Sequence, residues 1–131
     1  MGRYYSGDIE GKFWVAVQPS DDASNFGGRE RIIEDEDGEE IELGYSFYQE
    51  DIAEIESILE EILEDLGDHK EKLDTFFSNC ESYSNENIKE ILDIPLTNVD
   101  DVLKLYSRLE LGNKILECVK RTGECVFECE L

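Results

Sequence analysis

Apolar and polar residues alternate through GKFWVAVQ, residues 11–18, where Phe13, Val15 and Val17 oppose Lys12, Trp14, Ala16 and Gln18. A period of two places these sets on opposite faces of a strand. Turn glycines stand at Gly7 and Gly11, so residues 3–17 read as a hairpin. QPSDDASNFGG, residues 18–28, has the Pro, Ser, Asp, Asn and Gly content of a loop. Beyond it, strands near 29–35 and 40–48 pair around Asp37-Gly38, a dipeptide favoured in tight hairpins.

The period then changes. In QEDIAEIESILEEILEDLGDH, Ile52, Ile55, Leu59, Ile62 and Leu66 recur at three- and four-residue spacing, widened by Ile58 and Leu63. Glu50 and Asp51 fall in the first turn, where negative charge suits the helix dipole, and Gly67 supplies the stop. DHKEKLDTFFSNC reads as a second helix with Leu73, Phe76 and Phe77 inward, and NENIKEILDI as a short third ended by Pro95. Thr97 or Asn98 can cap VDDVLKLYSRLELGNKILECVKR, with Asp100 and Asp101 in its first turn and Lys120 and Arg121 in its last. Gly112-Asn113 leaves an alternative, a break followed by a hairpin of 114–120 with 124–130; the helix is preferred. In ECVFECEL the alternation puts Cys125, Phe127, Cys129 and Leu131 on one strand face.

Strands followed by helices imply an α+β fold. The expected architecture is an N-terminal antiparallel sheet, with hairpins within 3–48, packed against three or four helices over about 50–121. Strand 124–130 rejoins that sheet. A chain of 131 residues with 40% apolar content suits a single domain, 1–131, and neither a repeat nor a linker divides it.

Charge changes this ordinary picture. The net charge is −22, and residues 32–69 carry sixteen acids with no Lys or Arg, while the flanks hold all twelve basic residues. Adaptation to high salt would acidify the whole surface, which this chain does not do. The block opens with EDEDGEEIE, where Glu34, Asp35, Glu36, Asp37, Glu39, Glu40 and Glu42 fill seven of nine positions at the hairpin tip. It continues on the polar face of the first helix with Glu54, Glu60, Glu61, Glu64 and Asp65. No Lys stands at i+4 to offset any of them. Such a chain is expected to repel DNA, RNA and anionic membranes and to prefer basic protein partners. Aromatic content of 10% argues against a disordered acidic tail.

The remaining candidate chemistry is thin. With Gly38 at position 6 of a calcium loop, Ile33 and Gly44 would occupy positions 1 and 12, so the principal ligands are missing. Cys80, Cys118, Cys125 and Cys129 form no CxxC pair and read as buried free thiols, ahead of disulfide or zinc. His69 reads as an exposed helix-start residue. Asp8 and Glu10 are a generic carboxylate pair, read as hairpin residues before acid-base catalysts. Tyr4, Tyr5 and Trp14 offer an aromatic surface with only Arg3 and Lys12 nearby. No nucleophile elbow, phosphate loop or dinucleotide fingerprint occurs, so no cofactor, metal or enzymatic activity is expected. MGRYYSGD lacks the apolar core of a secretory signal. Gly2 and Ser6 fit the loose myristoylation pattern, but a polybasic second signal is missing. A cytoplasmic protein is expected.

In composition and in the acidic block 34–65, the chain resembles small acidic α+β inhibitors of phages and mobile elements, the DNA-mimic anti-restriction and anti-CRISPR proteins. That resemblance implies a non-enzymatic protein occupying the basic nucleic-acid-binding surface of an effector such as a defence nuclease. The twelve carboxylates at 34–37, 39, 40, 42, 54, 60, 61, 64 and 65 are its expected contact residues. A general interaction module using the acidic face and an aromatic patch is the alternative, and an undetected enzyme or specific cation binder comes third.

Overall fold

The apolar periods at 29–48, 52–66 and 124–130 become strands of a five-stranded antiparallel sheet or a helix against it. The computed structural model describes residues 3–13, 18–80 and 82–131. Strand β1 (Tyr4–Gly7) pairs with β2 (Gly11–Lys12), and β3 (Arg29–Glu34) pairs with β4 (Glu40–Tyr48). Helices α1 (Ile52–Leu66), α2 (Asp68–Asn79), α3 (Asn85–Leu92) and α4 (Val99–Thr122) follow, and β5 (Glu124–Glu130) completes the sheet. The α+β architecture is therefore as the sequence predicts. Within the expected strand 11–18, Phe13 is buried, and residues 14–17 lie outside the described residues.

The strand order is β2-β1-β5-β4-β3, so β5 is the middle strand. The two hairpins do not pair with each other; β5 pairs with β1 on one side and β4 on the other. Alternation sends Cys125, Phe127 and Cys129 inward beside Leu43, Tyr45 and Phe47 of β4, all buried. Phe127 sits at the centre of an aromatic group, with ring centroids 5.7 Å from Tyr45, 6.2 Å from Phe47 and 6.2 Å from Tyr5. Opposite these residues, Glu42, Glu128 and Glu130 point to the other, more solvated face, as expected when helices cover one side of an antiparallel sheet.

Helix α4 runs unbroken through Gly112-Asn113 because Gly112 is a packing position. A β-carbon there would collide with the buried Phe26 ring and with Leu59 of α1. Phe26 closes a 3-10 turn, Asp22–Phe26, that packs between α1 and α4. Its first residue, Asp22, is 1% exposed. Arg108 Nε donates to its Oδ1 at 2.8 Å and Gln18 Nε2 to its Oδ2 at 2.9 Å. A buried carboxylate requires such donors, since an unpaired charge in a core costs several kcal/mol, roughly 3–5 when one partner is removed. The loop of residues 18–28 is thereby fixed across the helical layer. Neither expected cap of α4 operates: Asn98 holds the N-cap position without a side-chain cap bond, and a 3-10 turn, Leu96–Asn98, leads into the helix.

Because β5 supplies the centre of the sheet, Phe127→Ala is expected to destabilise the fold by about 3–5 kcal/mol. Gly112→Ala, which overpacks the Phe26 contact, is expected to cost about 1–3 kcal/mol. Urea denaturation followed by circular dichroism checks both; a loss below about 1 kcal/mol for Phe127→Ala contradicts the central role given to β5.

Candidate functional site

The acidic tip is an ordered turn. Gly38 N–H donates to Asp35 O at 3.1 Å, Asp35 N–H donates to Glu39 O at 2.9 Å, and Gly38 adopts φ +80°, a conformation that favours glycine. Asp35 holds the loop from inside: its Oδ1 accepts the Asp37 and Glu39 N–H groups, each at 2.9 Å. Asp35 is half-buried, whereas Glu34, Glu36, Asp37, Glu39 and Glu40 are exposed. One of the seven tip carboxylates therefore builds the turn that displays the others. A bulge between Ile33 and Glu34 leads into the turn.

Glu42 is half-buried and faces Glu130 directly across the β4–β5 ladder. Like charges in register repel. Glu130 is the contact candidate that sequence reasoning overlooks, although the inward Cys125, Phe127 and Cys129 already require an outward Glu130. Its Oε1 accepts the Tyr4 N–H at 3.1 Å, which offsets part of that repulsion.

Helix α1 buries Ile55, Leu59, Ile62 and Leu66 and leaves Glu54, Glu60, Glu61, Glu64 and Asp65 exposed. Its start is fixed by Asp51, whose Oδ2 accepts the Tyr48 N–H at 2.8 Å. The carboxylate of Glu54 lies against Gly27, two residues before β3 begins. The start of α1 and the tip thus stand at opposite ends of β3, separated by about 17 Å at the rise of a strand. The tip and α1 carry two acidic stations on different elements, with Glu54 the member fixed at the far end of β3.

Among the described residues, the ion pairs are Arg29–Glu50, Arg31–Glu128, Lys70–Asp74, Arg108–Asp22 and Lys120–Glu56. None involves the twelve carboxylates singled out above. Arg29, Arg31, Lys70, Arg108 and Lys120 are paired with other carboxylates, and among the described residues no ion pair offsets the candidate surface.

The other candidates resolve differently. Asp8 Oδ2 accepts the Val126 N–H at 2.9 Å, and Asp8 N–H donates to Val126 O at 2.9 Å, so Asp8 extends the β1–β5 pairing. Tyr5 is a core residue against Phe13, with its hydroxyl accepting from Lys114 Nζ at 2.8 Å. Tyr4 is exposed under Lys12, whereas the buried Tyr5 does not join an aromatic surface as expected, and Trp14 lies outside the described residues. His69 is half-buried in the first turn of α2, not exposed, and its Nδ1 has no hydrogen-bond partner among the described residues. No group of three or more His, Cys, Asp or Glu side chains among the described residues is arranged to hold a metal ion. No helix among them is long and apolar enough to cross a membrane.

Cys118, Cys125 and Cys129 are buried free thiols, but Cys80 is exposed, a correction to the expectation for all four. It follows the last turn of α2 in extended backbone, beside an open cleft of about 660 Å³ with Phe76 and Ile91 in its walls. Burial pushes the Cys129 thiol up to about 12, with Glu42 adding to the effect, and burial beside Cys118 pushes Cys125 up as well.

No known protein family, curated protein or solved structure matches this chain. The reading of the surface rests on its own geometry.

Two outcomes follow from these placements. Asp35→Ala is expected to lower stability by about 1 kcal/mol through loss of two backbone hydrogen bonds, whereas Glu36→Ala is expected to leave it equal or slightly raised. Equal melting temperatures for the two variants count against the turn-building role of Asp35. Thiol titration of the native protein is expected to show one fast-reacting cysteine, abolished by Cys80→Ser, and four after denaturation. A second fast thiol in the native state contradicts the burial of the other three.

Proposed function

We propose that the protein is a non-enzymatic acidic binding protein that occupies the basic, nucleic-acid-binding surface of a partner protein. The observation that carries this reading is the set of exposed carboxylates at the tip and along α1 that have no Lys or Arg counter-ion among the described residues. A fold under no constraint but stability would mix signs on such surfaces, since unlike neighbours stabilise and like neighbours repel. Duplex DNA presents one negative charge per ~1.7 Å of axis, and a Lys/Arg channel built for it is complementary to any rigid surface of comparable charge density. The tip and α1 are both rigid, one through Asp35 and the other through its buried face. Association by this route is steered by charge, fast at low salt and weakened as salt screens it. A defence nuclease of the host is the effector class that the resemblance to anti-restriction and anti-CRISPR proteins suggests.

The test reverses each station separately. Glu36, Asp37, Glu39 and Glu40 are changed to Lys in one variant, and Glu54, Glu61 and Glu64 in another. Each is used beside the wild type as bait for proteins that duplex DNA displaces. Both variants are expected to fold with equal or higher melting temperature, because self-repulsion is relieved. Each is expected to lose its DNA-competed partner or to bind it with a slower on-rate. Retention of the same partner by both variants, with unchanged salt dependence, overturns the proposal.

A further inference from the structure

The acidic tip end of the sheet also carries an apolar patch. Ile32 is 53% exposed, Leu131 50% and Ile41 41%, although all three share the helix-side face with buried Leu43. Leu131 N–H donates to Ile41 O at 3.2 Å, which places these two side by side, while Ile32 lies opposite Leu43 in the β3–β4 ladder. The three form one continuation of the core face beyond the elements that cover it. The exposed turn carboxylates Glu36, Asp37 and Glu39 stand beyond the tip end of the patch, while Glu40, Glu42 and Glu130 occupy the reverse of the same strands.

The charge around the patch selects its occupant. A second copy of this chain would bring two tips of like charge together. The exposed edge β3 also carries Arg29, Glu30, Arg31 and Glu34 and ends in a bulge, features that resist strand-to-strand addition of copies. An anionic membrane or a nucleic acid meets the same repulsion. What remains complementary is a protein segment bearing Lys or Arg beside apolar side chains.

We infer that Ile32, Ile41 and Leu131, beside the carboxylates of the adjoining tip, form a docking site for a basic segment of the partner that carries apolar anchors. This rests on the function proposed above and deepens it. The carboxylates steer encounter and fix orientation, while the apolar contact, which salt does not screen, slows release. Together they hold a partner at ionic strengths where charge alone fails. A flat phosphate imitation has no use for three exposed aliphatic side chains beside its acidic tip.

The test uses two fluorescent peptides of equal charge, one alternating lysine with leucine and one alternating lysine with serine, titrated against wild type and variants by anisotropy. Wild type is expected to bind the leucine peptide at least about tenfold more tightly, from the apolar area covered. In the triple variant Ile32→Ser, Ile41→Ser, Leu131→Ser that advantage is expected to fall below about twofold, with serine-peptide affinity unchanged. Circular dichroism reports whether the triple variant folds, and Ile32→Ser alone, at the most exposed position, reads the same effect at smaller size. Equal affinity of wild type for both peptides, or an advantage that survives the substitutions, overturns the docking site. Dimerisation of the wild type in sedimentation that the triple variant loses also overturns it, assigning the patch to a second copy. Failure of the acidic reading is distinct: serine-peptide binding would then be insensitive to salt and to reversal of Glu36, Asp37, Glu39 and Glu40.

Discussion

The insertion of β5 between β1 and β4 is the constraint on which the other elements depend. Two hairpins alone are marginal in water, because neither has a covered face of sufficient size. Phe127 unites them, since Tyr5 comes from one hairpin and Tyr45 and Phe47 from the other, and all three rings meet it. The register that places Phe127 inward also places Glu128 and Glu130 outward and brings Leu131 beside Ile41. A slip of one residue would bury those carboxylates and expose the thiols and the ring. The core and the surface chemistry at the tip end are thus fixed by one pairing.

The helical layer is held by a different device. Phe26 and Asp22 come from a loop, yet the ring fills the space left by Gly112 and the carboxylate is buried against Arg108. Arg108 is one of the few basic residues near the core, and it is used structurally. Lys114 on Tyr5 and Arg3 on Ser20 are engaged in the same way. This division of labour helps an excess of acid coexist with a folded core: these three cations stabilise joints, and the unpaired carboxylates of the tip and α1 stay largely in solvent.

Local periodicity made most elements legible. The 3,4 spacing of α1 and the alternation of β4 and β5 report directly which side chains are buried, and the structure follows them. The order of strands is not local, so nothing in ECVFECEL reveals that it lies at the centre rather than an edge. Gly112 looks like a helix breaker in sequence because its packing partners, Phe26 and Leu59, are distant in the chain. Cys80 resembles the buried thiols in spacing but lies past the end of α2, where burial ceases. Asp35 cannot be told from its acidic neighbours by type, only by the two N–H groups it accepts. The acidic stations are legible as residues, while the place of Glu54 beside Gly27, a strand's length from the tip, is a consequence of topology.

The buried face of α1 bears on how its charge is carried. Along α1 the carboxylates from Glu54 to Asp65 are carried at fixed intervals over about 16 Å of helix rise, because the buried face of the same helix holds them there. A disordered acidic tail of equal charge would have to be ordered on binding and would lose affinity by that cost. Here the ordering is already accomplished by Ile55, Leu59, Ile62 and Leu66. The free protein bears the mutual repulsion of these groups as lost stability. A basic partner that binds only the folded state removes part of that repulsion, so binding and folding stability are linked. The same unpaired carboxylates that weaken the isolated fold would therefore strengthen the proposed complex with a cationic surface.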